Sequence, residues 1–181
     1  MLRNLVKYFR HDVSRFCAAR HGATAVEFAL IAPAFLATLI AVLETTLFLF
    51  AQATLQNAAV TAGRMFMTGQ AQNGNLTQAQ FAADVCPMIS ALFTCGNLMV
   101  NVQAYSAFSS ASASAPTLTY NAQGQVTNSW SYTTGTPGQV MVVQLIYQWP
   151  IVNGPFGYVL SNLGNGTAEM MGVTAFRVEP Y

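Results

Sequence analysis

At 181 residues, 53% hydrophobic and only 7% charged, the chain lies far below the roughly 25% charge of an ordinary soluble domain. Its net charge of +1 hides an asymmetry: Arg3, Lys7, Arg10, Arg15 and Arg20 crowd the start against Asp12 alone, while from Ala23 onward Arg64 and Arg177 face Glu27, Glu44, Asp84, Glu169 and Glu179. An acidic body argues against a nucleic-acid surface, and the lack of histidine beyond His21 removes imidazole from any catalysis there.

Residues 1–22 read as a basic leader. From Ala23 to Ala51 the chain is apolar apart from a few threonines, Glu27 and Glu44, which predicts a transmembrane helix over 23–51. Positive charge on one flank keeps that end in the cytoplasm and sends the other across the inner membrane. A cleaved secretory signal is the alternative, but such signals have an apolar region of about 7–15 residues and a small-residue cleavage site, and this run is far longer. Pro33 is the one interior breaker. The helix should continue to about Arg64, because Leu55, Ala58, Ala59, Ala62 and Phe66 recur at three- and four-residue spacing among Gln52, Gln56, Asn57 and Arg64. Residues 52–68 are thus a periplasmic extension of the helix, and 69–181 a periplasmic globular domain.

Thr77 is the expected N-cap of a second helix reaching about Phe93, with Phe81, Val85, Ile89 and Leu92 on one face and Pro87 as a point where it can split. Leu98 to Phe108 alternates as a strand does. Ser109 to Pro116 is Ser/Ala-rich and reads as a flexible surface loop, and Tyr120 to Val126 as a turn between short strands. Gln139 to Trp149 is too apolar for an edge strand; a last strand runs from about Ala168 to Val178. The expected class is α+β: a long N-terminal helix, a short helix and an antiparallel sheet of four or so strands. Residues 85 through 168 lack any charged side chain, which suits either packing against neighbours or a Ser/Thr/Gln/Asn-rich surface.

Cys17 falls in the leader, while Cys86 and Cys95 fall where disulfides persist. Joining them closes a loop of about ten residues, worth roughly 2.5–3 kcal/mol in the chain-entropy model. Two free buried thiols are the alternative. Two thiols alone do not complete a zinc site, so no metal is expected. Nor do the glycine turns form a phosphate loop, since no Lys-Ser/Thr follows Gly154-Pro-Phe-Gly157 or Gly164-Asn-Gly166. Asp84 and Glu169 would make a hydrolytic pair only by long-range approach. The reading is therefore no enzyme, no cofactor and no small-molecule substrate.

Glu27 carries the chemistry that remains. A carboxylate inside a span costs roughly 2.5–3.5 kcal/mol on insertion scales. It can snorkel to the nearby headgroups. It can also have a partner, because a cut after Gly22 leaves Ala23 with an α-ammonium four residues before Glu27. Paired across subunits, such charges favour docking and set its register.

The run Arg20-His-Gly-Ala-Thr-Ala-Val-Glu-Phe-Ala-Leu-Ile-Ala-Pro33 resembles the N-terminus of TadE-like pseudopilins of the tight-adherence (Tad/Flp, type IVc) pilus system, and Ala175 to Tyr181 is similar to that family's usual C-terminus. The resemblance implies a pilin-like fold and a minor pilin or pseudopilin, cut by a prepilin peptidase between Gly22 and Ala23. Glu27 and Phe28 would serve processing or assembly. The implied partners are the membrane, that peptidase, other pilins or pseudopilins and the Tad inner-membrane assembly platform, in support of pilus biogenesis and surface adherence. The major pilin of the system is much shorter and usually carries Glu-Tyr, so the minor role fits better. An unprocessed single-span periplasmic binding or adhesion protein is the alternative.

Overall fold

Helix α1 runs without interruption over Ala23–Met67, and its two halves have different surroundings. The computed structural model describes residues 22–151, 154, 157–163 and 165–180; the basic leader, with Cys17, lies outside them. The described residues divide into two units, one running through Leu43 and including Gly154, Gly157 and Tyr158, the other made of the rest from Glu44 onward.

In the second unit the alanine-rich face of α1 is core. Ala51, Leu55, Ala58, Ala59, Ala62 and Phe66 are buried, while Asn57, Thr61 and Arg64 are exposed on the opposite face. That is the i, i+3, i+4 stripe of a helix lying on a sheet. Small side chains let the two come very close. A Cβ on Gly63 would lie 2.7 Å from Thr174 Cγ2, and one on Gly172 would run into the backbone oxygen of Leu55.

A four-residue helix, α2 (Gln70–Asn73), leads into α3 (Gln78–Ile89). Thr77 caps α3 through a capping box with Gln80, two residues that satisfy each other's backbone N–H groups. Phe81, Val85 and Ile89 are buried on one face as their spacing requires. Pro87 does not split the helix. It sits in the last turn, so it removes only one hydrogen bond before the helix ends at Ile89, short of the expected Phe93. Cys86 is joined to Cys95, which opens a 3₁₀ turn at Cys95–Asn97, with a Cα–Cα distance of 5.5 Å.

Among the described residues the sheet has three antiparallel strands, β1 (Met99–Tyr105), β2 (Val140–Pro150) and β3 (Thr167–Arg177), in the order β1-β2-β3. The apolar β2 is central, pairing Met99 with Ile146 on one side and Val140 with Arg177 on the other. Val100, Val102, Met141, Val143, Leu145, Tyr147 and Met170 join the core with α1 and α3. Phe66 packs edge to face on Phe81 and on Tyr132, and the latter two are tilted against each other, with centroids 5.0–6.1 Å apart.

The sheet is one strand smaller than expected. Residues 117–128, rich in Thr, Asn and Gln, bond among themselves and give only a bridge between Tyr120 and Val126. A second bridge places Tyr132 beside Val102. The expected flexible loop is also tied down. Asn101 and Gln144 face each other, buried, at 2.7 Å, and Gln144 donates to the Ser114 carbonyl while Asn101 accepts from the Ser131 amide.

Candidate functional site: the N-terminal helical segment

Gly22 sits in the helical turn just before α1, exposed, and a Cβ added to it would meet no atom within 4 Å. Ala23 is the first helical residue. Glu27 follows one turn later, exposed, beside Phe28, which is 73% exposed. Residues four apart share a helix face with their Cβ atoms about 5–6 Å apart, so the backbone nitrogen of Ala23 and the Glu27 carboxylate belong to one end and one side of α1.

Beyond Glu27 the helix is apolar all round as far as Leu43, and apolar side chains resume past Glu44. Leu30, Ile31, Phe35, Leu36, Ile40, Leu43, Leu47, Leu49 and Phe50 are all exposed. A helix of that kind needs lipid or other helices around it. Thr38 does not spoil the surface, because its hydroxyl donates to the Ala34 carbonyl at 2.9 Å. A shallow depression among Phe35, Thr38, Leu39, Val42 and Leu43 presents no polar surface and so offers a substrate nothing to bond. Helix α1 is long and apolar enough to cross a membrane, and its position near the N-terminus fits a single-pass membrane protein.

The carboxylates weighed for hydrolysis answer to different neighbours. Asp84 is exposed on α3, and its charge is felt at the Tyr132 hydroxyl, which burial above all, and Asp84 second, push up to about 12. Glu169, at the start of β3, is raised by burial alone; its Oε1 is closed off without a hydrogen-bond partner although the residue as a whole is only half-buried. Its backbone amide is held by Asn162 Oδ1 at 2.8 Å. Among the described residues no three His, Cys, Asp or Glu side chains gather as metal ligands would.

Two residues matter more than their sequence context suggested. Gln52 donates to the Met171 carbonyl, and Gln56 both donates to the Val173 carbonyl and accepts from its amide, at 2.8–3.0 Å. They tie the Gln52–Gln56 turn of α1 to the outer edge of β3. Only their position flanking the buried stripe could have hinted at this.

Comparison with curated proteins and with solved structures returns no match. Residues 22–64 match the model of the family described as TadE-like protein, a family that is structural rather than enzymatic. The match opens on Gly22, includes Glu27 and Phe28, and extends to Arg64 on the half of α1 that packs against the sheet. The segment that carries the candidate site is TadE-like, and the chain is accordingly consistent with a TadE-like protein of the Tad pilus system.

Proposed function

We propose that this chain is a minor pseudopilin of the Tad pilus machinery, cut by a prepilin peptidase between Gly22 and Ala23 and held in the inner membrane with its sheet domain in the periplasm. The observation that carries the proposal is the exposed, uncrowded Gly22 at the start of α1, one helical turn ahead of an exposed Glu27, inside the family-matched segment. A peptidase can reach that peptide bond, and the glycine leaves room around it. After the cut the new α-ammonium and Glu27 have opposite charge at one end of an apolar helix. Joined across neighbouring subunits, each offsets the other's desolvation, so docking of pilins or pseudopilins with the assembly platform becomes favourable only in the right register. The basic leader supports a cytoplasmic N-terminus, and the Cys86–Cys95 bridge suits an oxidising compartment. Pilus biogenesis and surface adherence are the activities it would serve.

N-terminal sequencing of the membrane-inserted protein tests this directly. A strain with active prepilin peptidase should yield Ala23, and Gly22→Ala should leave the precursor intact. Met1 retained in the parent strain would instead leave an unprocessed single-span protein of binding or adhesive role. Glu27→Ala should insert as well as the parent but fail in processing or piliation; normal pili would mean that Glu27 only snorkels.

A further inference from the structure

Between the end of α3 at Ile89 and the start of β1 at Met99 the chain makes a turn with few ties to the sheet. Its backbone hydrogen bonds are local: the Leu92 and Phe93 amides donate to the Ile89 carbonyl, Asn97 to Thr94 and Leu98 to Cys95. Among the described residues one bond reaches the sheet, from the Thr94 amide to the Tyr147 hydroxyl, and at 3.3 Å it is long. Phe93 is the buried anchor, 4% exposed, with its ring edge-on to Tyr147 at 4.9 Å and to Trp149 at 5.4 Å. Leu92 and Leu98 are half-buried, and Ser90, Ala91, Thr94, Gly96 and Asn97 are exposed.

Both flanks of the turn are held without it. Phe81, Val85 and Ile89 fix α3 in the core together with its capping box, and β1 is fixed by its ladder with β2. The covalent tie on the turn is the Cys86–Cys95 bridge, which joins the last turn of α3 to the 3₁₀ turn at Cys95–Asn97 across nine positions. The helical end of that tie is weak by itself. Pro87 has no N–H, so the last turn of α3 lacks one hydrogen bond right beside Cys86. Both cysteines are half-buried and neither belongs to the core cluster, which places the bridge at the surface. Once such a tie is cut, backbone entropy favours release of a turn whose hydrogen bonds are local and exposed.

We propose that the Cys86–Cys95 bridge is a redox latch on the Phe93 turn. Oxidised, it holds Phe93 against Tyr147 and Trp149 and closes that end of the core. Reduced, it releases residues 90–97, so Tyr147 and Trp149 lose their cover while α3 and the three strands stay in place. The partner this requires is a protein dithiol. One of its thiolates attacks a sulfur of the bridge and forms a mixed disulfide, and its second thiolate then displaces the remaining cysteine. Two electrons and two protons pass to Cys86 and Cys95, and the dithiol leaves as a disulfide. Run backwards, the same exchange closes the domain. An aromatic patch bared on reduction distinguishes a chain that has not been oxidised from one that has.

The test uses the full chain in detergent, with Cys17→Ser to leave Cys86 and Cys95 as its cysteines and Trp130→Phe to leave Trp149 as its tryptophan. Amide hydrogen exchange is followed peptide by peptide before and after reduction by a phosphine, with acrylamide quenching of Trp149 alongside. Peptides within 90–98 should exchange about ten-fold faster or more on reduction, while those of 79–85 and 141–148 keep their rates. Quenching of Trp149 should rise, and oxidised Phe93→Ala, which keeps the bridge, should show the same rise. Unchanged exchange across 90–98 in the reduced chain makes the bridge a passive cross-link and overturns the proposal. Acceleration of 79–85 and 141–148 together with the turn overturns it too, since the bridge then supports the whole domain. Trp149 quenching that stays the same on reduction, or in Phe93→Ala, overturns Phe93 as the cover and the latch with it.

Discussion

Gly172 and Tyr132 show how single residues are constrained by partners far away in sequence. At Gly172 the sheet comes so near α1 that an added Cβ would overlap the Leu55 carbonyl and lie 3.1 Å from the Ala59 methyl. Backbone cannot rotate aside as a side chain does, so Gly172→Ala must lift the helix off the strand. Overpacking of that kind costs about 1–3 kcal/mol, and a lowered midpoint of chemical unfolding in detergent should show it. Tyr132 presents the opposite case. Its hydroxyl is closed off and has no partner, though the residue as a whole is only half-buried. Tyr132→Phe therefore breaks no hydrogen bond and should leave neutral-pH stability unchanged or slightly raised. The folded state holds the phenolic proton more tightly than the ordinary value of 10.0, up to about 12. Stability must therefore fall as pH rises through that interval. Alkaline melts should show this loss in the parent and lack it in the phenylalanine variant. Gly22, Ala23, Glu27 and Phe28 could be read from sequence because their pattern is contiguous. Gly172 and Tyr132 could not, because their constraints come from Leu55, Phe66 and Phe81.

Helices and strands in this protein are sealed by glutamine where many soluble sheets use lysine. Gln52 and Gln56 occupy the free edge of β3, and Gln78 donates to the Val100 carbonyl of β1 at 2.7 Å. An amide side chain carries the donor and acceptor that a missing strand would supply, and it does so without charge. This closes the β3 edge beside Met171 and Val173 without placing a charge there. Gln56→Leu keeps the volume but strips partners from both the amide and the carbonyl of Val173. The expected loss is about 1–3 kcal/mol, with association through the bared edge seen as earlier elution in gel filtration. The elements themselves were legible to within a few residues: α1 from its 3.6-residue stripe, α3 from Thr77, β2 from its unbroken apolar run. Their seals were not, because a glutamine beside a buried stripe looks like any exposed polar residue until the strand it meets is known. The missing fourth strand has a local cause, since Thr119, Asn121, Gln125 and Asn128 satisfy one another instead of a neighbour.

At the scale of the whole molecule, α1 belongs to two environments, and a division of the chain at Gly69 separates residues that fold together. Leu55, Ala58, Ala59, Ala62 and Phe66 all lie in the core cluster with Val102, Val143 and Met170. Losing a buried Leu side chain costs about 2–5 kcal/mol and a buried Phe about 3–5 kcal/mol, against a total of about 5–15 kcal/mol for a domain. A chain beginning at Gly69 would lose both, along with the two glutamines that close β3 and the Met67 carbonyl that anchors Glu179. It should fail to fold as a unit. A chain beginning at Glu44 retains all of these and discards only the helix through Leu43, while keeping exposed Leu47, Leu49 and Phe50 that call for mild detergent. Circular dichroism should give a single cooperative melt for 44–181 and a broad or absent one for 69–181. A cooperative melt from the shorter chain would make the second half of α1 an accessory to the sheet rather than part of its core.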